Sequence, residues 1–317
     1  MRVGVAGAGA LGRHHVRILR ELAGDRFAGF YDGNAARAAT VASELGVTAF
    51  TSLDALLDAT DAVSVVVPTR AHAATASAVL SAGRHAFIEK PVTATVAEAD
   101  ALVALVAGRG LTVQVGHVER YNRAVRAARP YIDAPRYLEA ARHNPYTPRG
   151  ADVSVVADLM IHDVDLVLWL VGQEPTRIDA SGGRWMRDTT DVAEARLTFA
   201  DGAVANLSAM RLAAERRRTL TVWQANGVMR LDLAAGTAEF LRLRQDVDPA
   251  ELAAQPQDVT AFTERLVLDA PEGETLRMEL SDWLGAIAAR REPPVTLAAG
   301  RAALAVAQQI DTTILGH

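Results

Sequence analysis

The stretch RVGVAGAGALG, at positions 2–12, runs from a short apolar strand into a glycine-rich loop. The residues from His14 to Ala23 carry apolar side chains at helical spacing and predict a helix. In such a strand–loop–helix unit, Gly7 permits a tight turn, Gly9 lets a pyrophosphate approach the backbone, and Gly12 lets the helix pack on the strand. The pattern therefore predicts a dinucleotide-binding loop at a helix N-terminus. Its residues are Gly7, Gly9, Ala10, Leu11 and Gly12.

A carboxylate follows where the ribose of such a cofactor would lie. Phe27–Tyr31 predicts the second strand, and Asp32 lies at its end, 20 residues after Gly12. An acid at this position accepts hydrogen bonds from the adenosine ribose hydroxyls. It also repels the 2′-phosphate of NADP, so NAD is the predicted cofactor, with Arg37 near enough to complicate the preference.

Strand-like and helix-like segments alternate through the first 118 residues. Ala62–Val67, for example, is an unbroken run of apolar and small residues, typical of a strand buried in a parallel sheet. The alternation predicts an N-terminal Rossmann domain with a doubly wound parallel sheet over residues 1–118. Ligands of these sheets bind beyond the carboxyl ends of the strands. Two segments fall at such ends and are predicted to line the cofactor site: Pro68, Thr69 and His72, and Glu89, Lys90 and Pro91.

The pattern changes after residue 118. Val153–Val171 predicts a long helix, whereas Asp201-Gly202 and Asn226-Gly227 are hairpin turns between strand-like runs. Consecutive hairpins make an antiparallel sheet, and two helices, Leu276–Arg291 and Ala298–Leu315, close the chain. The fold class is therefore α/β, with a Rossmann domain followed by a C-terminal α+β domain over residues 119–317.

Composition excludes several classes of protein. The 317 residues carry a net charge of −5, so no global basic field is present to hold nucleic acid. Cysteine is absent, which excludes disulfides, zinc–thiolate sites and thiol nucleophiles, and no metal site is predicted. No apolar run reaches the length of a membrane span, and the N-terminus predicts a strand rather than a signal peptide. The expected location is the cytoplasm.

Lys90 stands out against a strong bias toward arginine. Of the 33 basic residues, 32 are arginine and one is lysine. Arginine is accepted wherever only positive charge matters, and guanidinium does not release a proton. The exception therefore marks Lys90 as a position where a compact ammonium that can give up its proton is required.

Asp158, His162 and Asp165 are spaced so that a helix places them on one face. Their neighbours in the predicted helix are mostly apolar, and a carboxylate or imidazole there is costly unless it is paired or faces a cleft. A paired helix face and an Asp complementing the helix dipole are the alternatives to a reactive site. Metal binding is disfavoured, because the helix offers two ligands and the sequence shows no third metal ligand to go with them.

These motifs together resemble the Gfo/Idh/MocA oxidoreductase family. The resemblance rests on the glycine loop, Pro68-Thr69 with His72, the Glu89-Lys90-Pro91 tripeptide and Asp158 with His162, and it extends over nearly the whole chain. It implies that Lys90 lies beside the nicotinamide and the substrate hydroxyl, and that Asp158 and His162 line the same cleft. It also implies a cis peptide at Pro91 and a C-terminal domain with an open-faced, mainly antiparallel sheet used for oligomerisation, as a homodimer or homotetramer.

A narrower resemblance concerns the substrate. The segments 115–122, 147–150 and 158–163 are similar to a branch of the family that oxidises UDP-N-acetylglucosamine-type sugars at C3, although Tyr121 replaces the usual Phe and Arg123 stands where Pro is common. Arg120 and Arg149 could bind a diphosphate bidentately, or they are surface arginines. The resemblance thus assigns substrate binding to His117, Arg120, Tyr121, Asn122, Arg149, Asp158 and His162.

We therefore expect an NAD-dependent enzyme that oxidises a secondary hydroxyl of a sugar or sugar nucleotide to a ketone. Either Lys90 or His162 would take the hydroxyl proton, with His162 favoured as base and Asp158 orienting its partner. An inositol or free-aldose dehydrogenase of the same family is the alternative enzyme. A non-catalytic NAD-binding regulator is the alternative from another class, since fold does not fix function.

Overall fold

A computed structural model describes residues 1–147, 153–186, 188–244 and 262–316. Contacts between Cα atoms divide the chain into two units. The first contains Met1–Val118 and Glu274–Ala305, and the second contains Glu119–Gly273 and Val306–His317. This division differs from the predicted C-terminal domain of 119–317, because the segment Glu274–Ala305 packs with the first 118 residues.

The first unit contains the doubly wound parallel sheet that the alternating pattern predicted. Its six strands have the order β3-β2-β1-β4-β5-β6, and every pair is parallel. The strand order reverses between β1 and β4, and a ligand crevice forms at such a switch point beyond the carboxyl ends of the strands. The strands are β1 (Val3–Ala6), β2 (Phe27–Tyr31), β3 (Ala49–Phe50), β4 (Ala62–Val65), β5 (His85–Glu89) and β6 (Val113–Gly116).

Helices of the first unit pack on this sheet over two apolar clusters. The late helix α8 joins one of them through Trp283, which is fully buried and whose ring centroid lies 5.8 Å from that of Phe87 on β5. Burial of so large a side chain explains why the segment belongs to this unit. The helices are α1 (Gly12–Ala23), α2 (Ala35–Leu45), α3 (Leu53–Asp58), α4 (His72–Ser81), α5 (Val96–Val106) and α8 (Thr275–Ala289).

The second unit contains an eight-stranded, mainly antiparallel sheet, as predicted. Its order is β14-β13-β12-β11-β7-β10-β9-β8, and only the inner pair β7 and β10 is parallel among the pairs that the structure describes. The β9–β10 and β11–β12 hairpins form at the two predicted turns. The strands are β7 (Tyr137–His143), β8 (Arg177–Gly183), β9 (Val192–Thr198), β10 (Val204–Met210), β11 (Arg217–Gln224), β12 (Gly227–Asp232), β13 (Thr237–Leu243) and β14 (Thr263–Leu268).

The predicted helix Val153–Val171 is interrupted near its start. Val156–Met160 forms a π turn, and the regular helix α7 spans Ile161–Val171. Single π turns inside helices occur frequently at functional sites. The other helices are α6 (Arg123–Ala128) and α9 (Leu297–Leu315). Among the described residues, no helix combines the length and the apolar character needed to cross a membrane.

Candidate active site

The glycine loop leaves open space where a dinucleotide would approach. Gly7 has a φ of 98°, and a Cβ there would lie 2.5 Å from the carbonyl oxygen of Val66. A Cβ on Gly12, the first residue of α1, would collide with the carbonyl of Gly7. A Cβ on Gly9 would meet no atom of the described residues within 4 Å. The first and third glycines therefore hold the loop tightly closed, and the second faces open space, which fits a pyrophosphate against the backbone.

Asp32, at the end of β2, is surrounded by donors. Its Oδ2 accepts from the backbone N–H of Ala8 at 2.7 Å, and its Oδ1 accepts from that of Asn34 at 2.8 Å. Arg37 adds a bidentate pair, with Nε 2.9 Å from Oδ2 and Nη2 2.7 Å from Oδ1. Burial alone raises the pKa of this carboxyl, but the four hydrogen bonds together lower it by more. The net pKa is therefore below its ordinary value. Asp32 is therefore ionised and partly neutralised by Arg37, which weakens its expected repulsion of a 2′-phosphate.

A buried polar network lies directly beneath Lys90. Glu89, the last residue of β5, lies with its Oε1 3.0 Å from Nε2 of the buried His15, whose Nδ1 is 2.9 Å from Oγ of Ser64. The backbone N–H of Lys90 donates to the other oxygen of Glu89 at 3.1 Å. Sequence reasoning missed His15 and Ser64, because both lie at core-facing positions of α1 and β4.

The network keeps Glu89 charged inside the first unit. Burial raises the pKa of the Glu89 carboxyl, but the hydrogen bond and charge of His15 and the backbone N–H of Lys90 lower it more, so the net pKa is lowered. Gly116 on β6 makes room for this carboxylate, since a Cβ there would lie 2.9 Å from it. A buried carboxylate held on both oxygens fixes the backbone from which the partly exposed Lys90 side chain extends.

His72 joins two of the predicted cofactor segments to each other. Its Nδ1 lies 2.8 Å from the carbonyl oxygen of Pro91, and its Nε2 lies 2.9 Å from that of Val67, next to Pro68 and Thr69. Burial lowers the pKa of His72. The side chain therefore lies between the loops after β4 and β5, and its contact with a cofactor stays a prediction. The peptide bond from Lys90 to Pro91 is cis, as the resemblance implied.

In the second unit, Asp158 lies in the π turn and His162 on the first turn of α7, and both are part-exposed. Asp165 does not share their surroundings. It is buried and bonded to Arg120, with Nε 2.8 Å from Oδ2 and Nη2 2.6 Å from Oδ1. Asp165 is thus a buried, paired residue of α7, whereas the grouping of Asp158 with His162 in one reactive site stays a prediction.

Several residues predicted to bind the substrate also make bonds within the second unit. Arg120 forms a bidentate pair with Asp165, and its Cζ lies 5.1 Å from the ring centroid of Trp169, so its binding of a diphosphate stays a prediction. Asn122 caps α6 by accepting from Ala124 N–H, and its amide donates to Glu119 and to the carbonyl of Leu233. His117 and Tyr121 are buried. Arg149 lies outside the described residues.

A second buried charge network surrounds the residue after His162. Asp163 accepts from Nε and Nη2 of Arg142 at 3.0 and 2.7 Å, and Arg142 also donates to Glu119 at 2.8 Å. Burial raises the pKa of Asp163, and the two carboxylates raise that of Arg142 against the effect of burial. In the part of the chain that is described, no group of three His, Asp or Glu residues is arranged to hold a metal ion.

Comparison with known proteins identifies the chain's relatives. A family model described as "Oxidoreductase family, NAD-binding Rossmann fold" matches residues 1–117, and one described as "GFO/IDH/MocA C-terminal domain" matches residues 116–230. The chain is 39% identical over 315 residues to UDP-N-acetylglucosamine 3-dehydrogenase of Acidithiobacillus ferrooxidans, covering 99% of this chain and 97% of that protein. A solved structure of that enzyme gives a TM-score of 0.91 at 38% identity, covering 100% of this chain and 98% of that one.

More distant relatives act on other molecules. Inositol 2-dehydrogenase of Leifsonia xyli is 32% identical over 189 residues, covering 56% of this chain and 56% of that protein. A levoglucosan dehydrogenase solved with NADH and levoglucosan gives a TM-score of 0.84 at 18% identity, covering 100% of this chain and 97% of that one. At that identity the second likeness establishes the fold alone.

Proposed function

The chain belongs to the Gfo/Idh/MocA family of oxidoreductases, and from this premise we propose that it oxidises the C3 hydroxyl of a UDP-linked N-acetylhexosamine with NAD. The observation that carries the proposal is the 39% identity to a UDP-N-acetylglucosamine 3-dehydrogenase over 99% of the chain. The inositol dehydrogenases match about half of it. The similarity to the nucleotide-sugar enzyme therefore includes the part of the chain that those relatives leave unmatched.

The first unit supplies the cofactor site in this proposal. The backbone around Gly9 would hold the pyrophosphate at the N-terminus of α1, and Asp32 would accept from the adenosine ribose. Asp32 favours NAD over NADP, and its ion pair with Arg37 reduces this preference. Bound NAD supplies the acceptor for the hydride that leaves the carbinol carbon.

Lys90, Asp158 and His162 are the proposed catalytic residues. As the C3–H bond breaks, the C3 hydroxyl must lose its proton to form the ketone, and we assign that proton to the imidazole of His162. Asp158 would orient His162, and the Nζ of Lys90 would stabilise the developing negative charge on the oxygen and relay the proton. Glu89 and His15 support this role by fixing the backbone at Lys90.

The outer face of the second sheet supports self-association, which we propose as a homodimer or homotetramer. Strands β9 to β12 alternate between buried residues and exposed or part-exposed ones. The outer positions include apolar side chains, such as Val204 and Trp223 among the part-exposed ones and Val267 on the outermost strand, which is 82% exposed. Light scattering at micromolar concentration tests this proposal, and a monomer would contradict it.

A substrate panel tests the proposed reaction. NAD reduction is followed by absorbance with UDP-N-acetylglucosamine, UDP-N-acetylgalactosamine, UDP-glucose, myo-inositol and free aldoses as substrates. The proposal predicts the highest kcat/KM for a UDP-N-acetylhexosamine. A faster reaction with inositols or aldoses than with every UDP-sugar would assign the chain to the alternative enzyme class. No turnover of any of them, with NAD still bound, would favour a regulatory protein.

A further inference from the structure

Two arginines lie side by side on the inner face of the second sheet. Arg142 on β7 and Arg218 on β11 are register partners in neighbouring antiparallel strands. Both share the alternation of buried apolar residues, represented by Leu138 on β7 and Leu220 on β11, so both face the interior of this unit. Two like charges at directly opposed positions repel each other unless each meets an anion.

The carboxylates near this pair are already used by other groups. Both oxygens of Asp163 accept from Arg142, at 2.7 and 3.0 Å. One oxygen of Glu119 accepts from Arg142 at 2.8 Å, and the other accepts from the amide of Asn122 at 3.0 Å. Arg142 therefore donates hydrogen bonds to both nearby carboxylates.

Arg218 is in the opposite situation. Its Nε is buried and has no hydrogen-bond partner among the described residues. Burial and the positive charge of Arg142 lower the pKa of Arg218, against the smaller opposing effects of Glu119 and Asp163. A half-buried guanidinium whose Nε has no acceptor among the described residues, and which has a second arginine in register beside it, gains free energy when an anion binds to it.

The place of Arg218 in the fold suggests which anion that is. Its register partner Arg142 is bonded to Asp163, and Asp163 directly follows His162 at the start of α7. We propose that Arg218 binds the diphosphate of the nucleotide-sugar substrate. This inference rests on the proposed function, because it takes the substrate to be a nucleotide sugar. In a UDP-N-acetylhexosamine at neutral pH, the negative charge lies on the diphosphate. The planar fork of arginine suits bidentate recognition of phosphate oxygens.

Binding of UDP alone tests the assignment without catalysis. Calorimetry with UDP is carried out on the wild type, on Arg218→Met and on the matched control Arg217→Met, whose exposed side chain lies next along the same strand. Arg218→Met should weaken UDP binding by about 10- to 100-fold, whereas Arg217→Met should change it by less than about 2-fold. Arg218→Lys should recover part of the affinity, since it restores the charge without the fork. NADH binding should be the same in all four proteins.

Thermal unfolding separates a binding role from a structural one. Because Arg218 has Arg142 in register beside it and its Nε has no acceptor in the part of the chain that the structure describes, Arg218→Met should unfold at the wild-type temperature or above it. A folded Arg218→Met protein that binds UDP as tightly as the wild type would overturn the inference and leave the proposed reaction standing. A wild-type protein that binds no UDP and oxidises no UDP-sugar would overturn the proposed function, and the inference with it.

Discussion

His15 Nε2 lies 3.0 Å from Oε1 of Glu89, and both side chains are buried in the first unit. The pair joins the helix that begins at the glycine loop to the strand that ends just before Lys90, the lone lysine of the chain. The residues proposed for cofactor binding and for proton transfer therefore share one buried anchor.

Loss of His15 should destabilise the protein strongly. His15→Leu leaves the Glu89 carboxylate buried without its main partner, which costs roughly 3–5 kcal/mol of the free energy of unfolding. Denaturant unfolding measures this loss. His14→Leu is the control, because His14 is the exposed neighbour on the same helix. The double variant His15→Leu with Glu89→Gln should recover part of the loss, and a single variant as stable as the control would show that the pair is unimportant.

Arg37 should limit the preference for NAD. Arg37→Ala leaves the Asp32 carboxylate without a neutralising partner, so NADPH binding should weaken relative to NADH binding by about 10-fold, equivalent to about 1.4 kcal/mol. Asp32→Ala should act in the opposite direction and favour NADPH. Fluorescence titration with the two reduced cofactors measures both ratios, with Arg26→Ala as an exposed control. An unchanged ratio in both variants would contradict this role.

Lysine at position 90 should not be replaceable by arginine. Lys90→Arg keeps the positive charge but does not release a proton, so we expect it to lose about 10²-fold or more in kcat, nearly as much as Lys90→Ala. Both variants should fold and bind NADH, as checked by circular dichroism and fluorescence titration. Near-native turnover by Lys90→Arg would remove Lys90 from proton transfer.

His85 should make the stability of the protein sensitive to acid. Its Nδ1 accepts the backbone N–H of Thr112 at 2.9 Å, and burial lowers its pKa, against a smaller opposing effect of Asp61. The neutral form is favoured in the folded state, so its stabilisation is complete above the unfolded pKa of about 6.5 and is lost as the pH falls toward the lowered value.

Asparagine provides the matched variant, because its Oδ1 accepts the same N–H without titrating. Urea unfolding at about pH 8 and about pH 5.5, on either side of the ordinary histidine pKa of about 6.5, should show a larger loss of stability for wild type than for His85→Asn. His72 and His143 also have lowered pKa values, and they contribute the same loss of stability in acid to both proteins. The difference in that loss between wild type and His85→Asn therefore reports on His85. Equal losses would contradict the assignment.

Local patterns in the sequence were sufficient for much of the fold. The glycine loop and strand–helix alternation predicted the parallel sheet, and two short turns, Asp201-Gly202 and Asn226-Gly227, predicted hairpins that form. The placement of α8 was not predictable, because it depends on Trp283 packing against Phe87, a contact between residues far apart in sequence.

In the candidate site, too, local sequence motifs were predictable, whereas contacts between residues far apart in the chain were not. Glu89 and Lys90 were identified from the tripeptide and the arginine bias, whereas His15 appeared only as an apolar-face position of a helix. Arg120 and Arg218 were indistinguishable in a chain with 32 arginines. Their partners distinguish them, since Arg120 is bonded to the buried Asp165, whereas Arg218 Nε has no hydrogen-bond partner among the residues that are described.

The most direct test of the proposed reaction follows one hydrogen atom. UDP-N-acetylglucosamine carrying deuterium at C3 is incubated with the enzyme and NAD, and the mass of the reduced cofactor is measured by mass spectrometry. The proposal predicts that the cofactor gains the deuterium, and that substrate deuterated at C4 gives unlabelled NADH. Unlabelled NADH from the C3-deuterated substrate, or label transferred from C4, would contradict oxidation at C3.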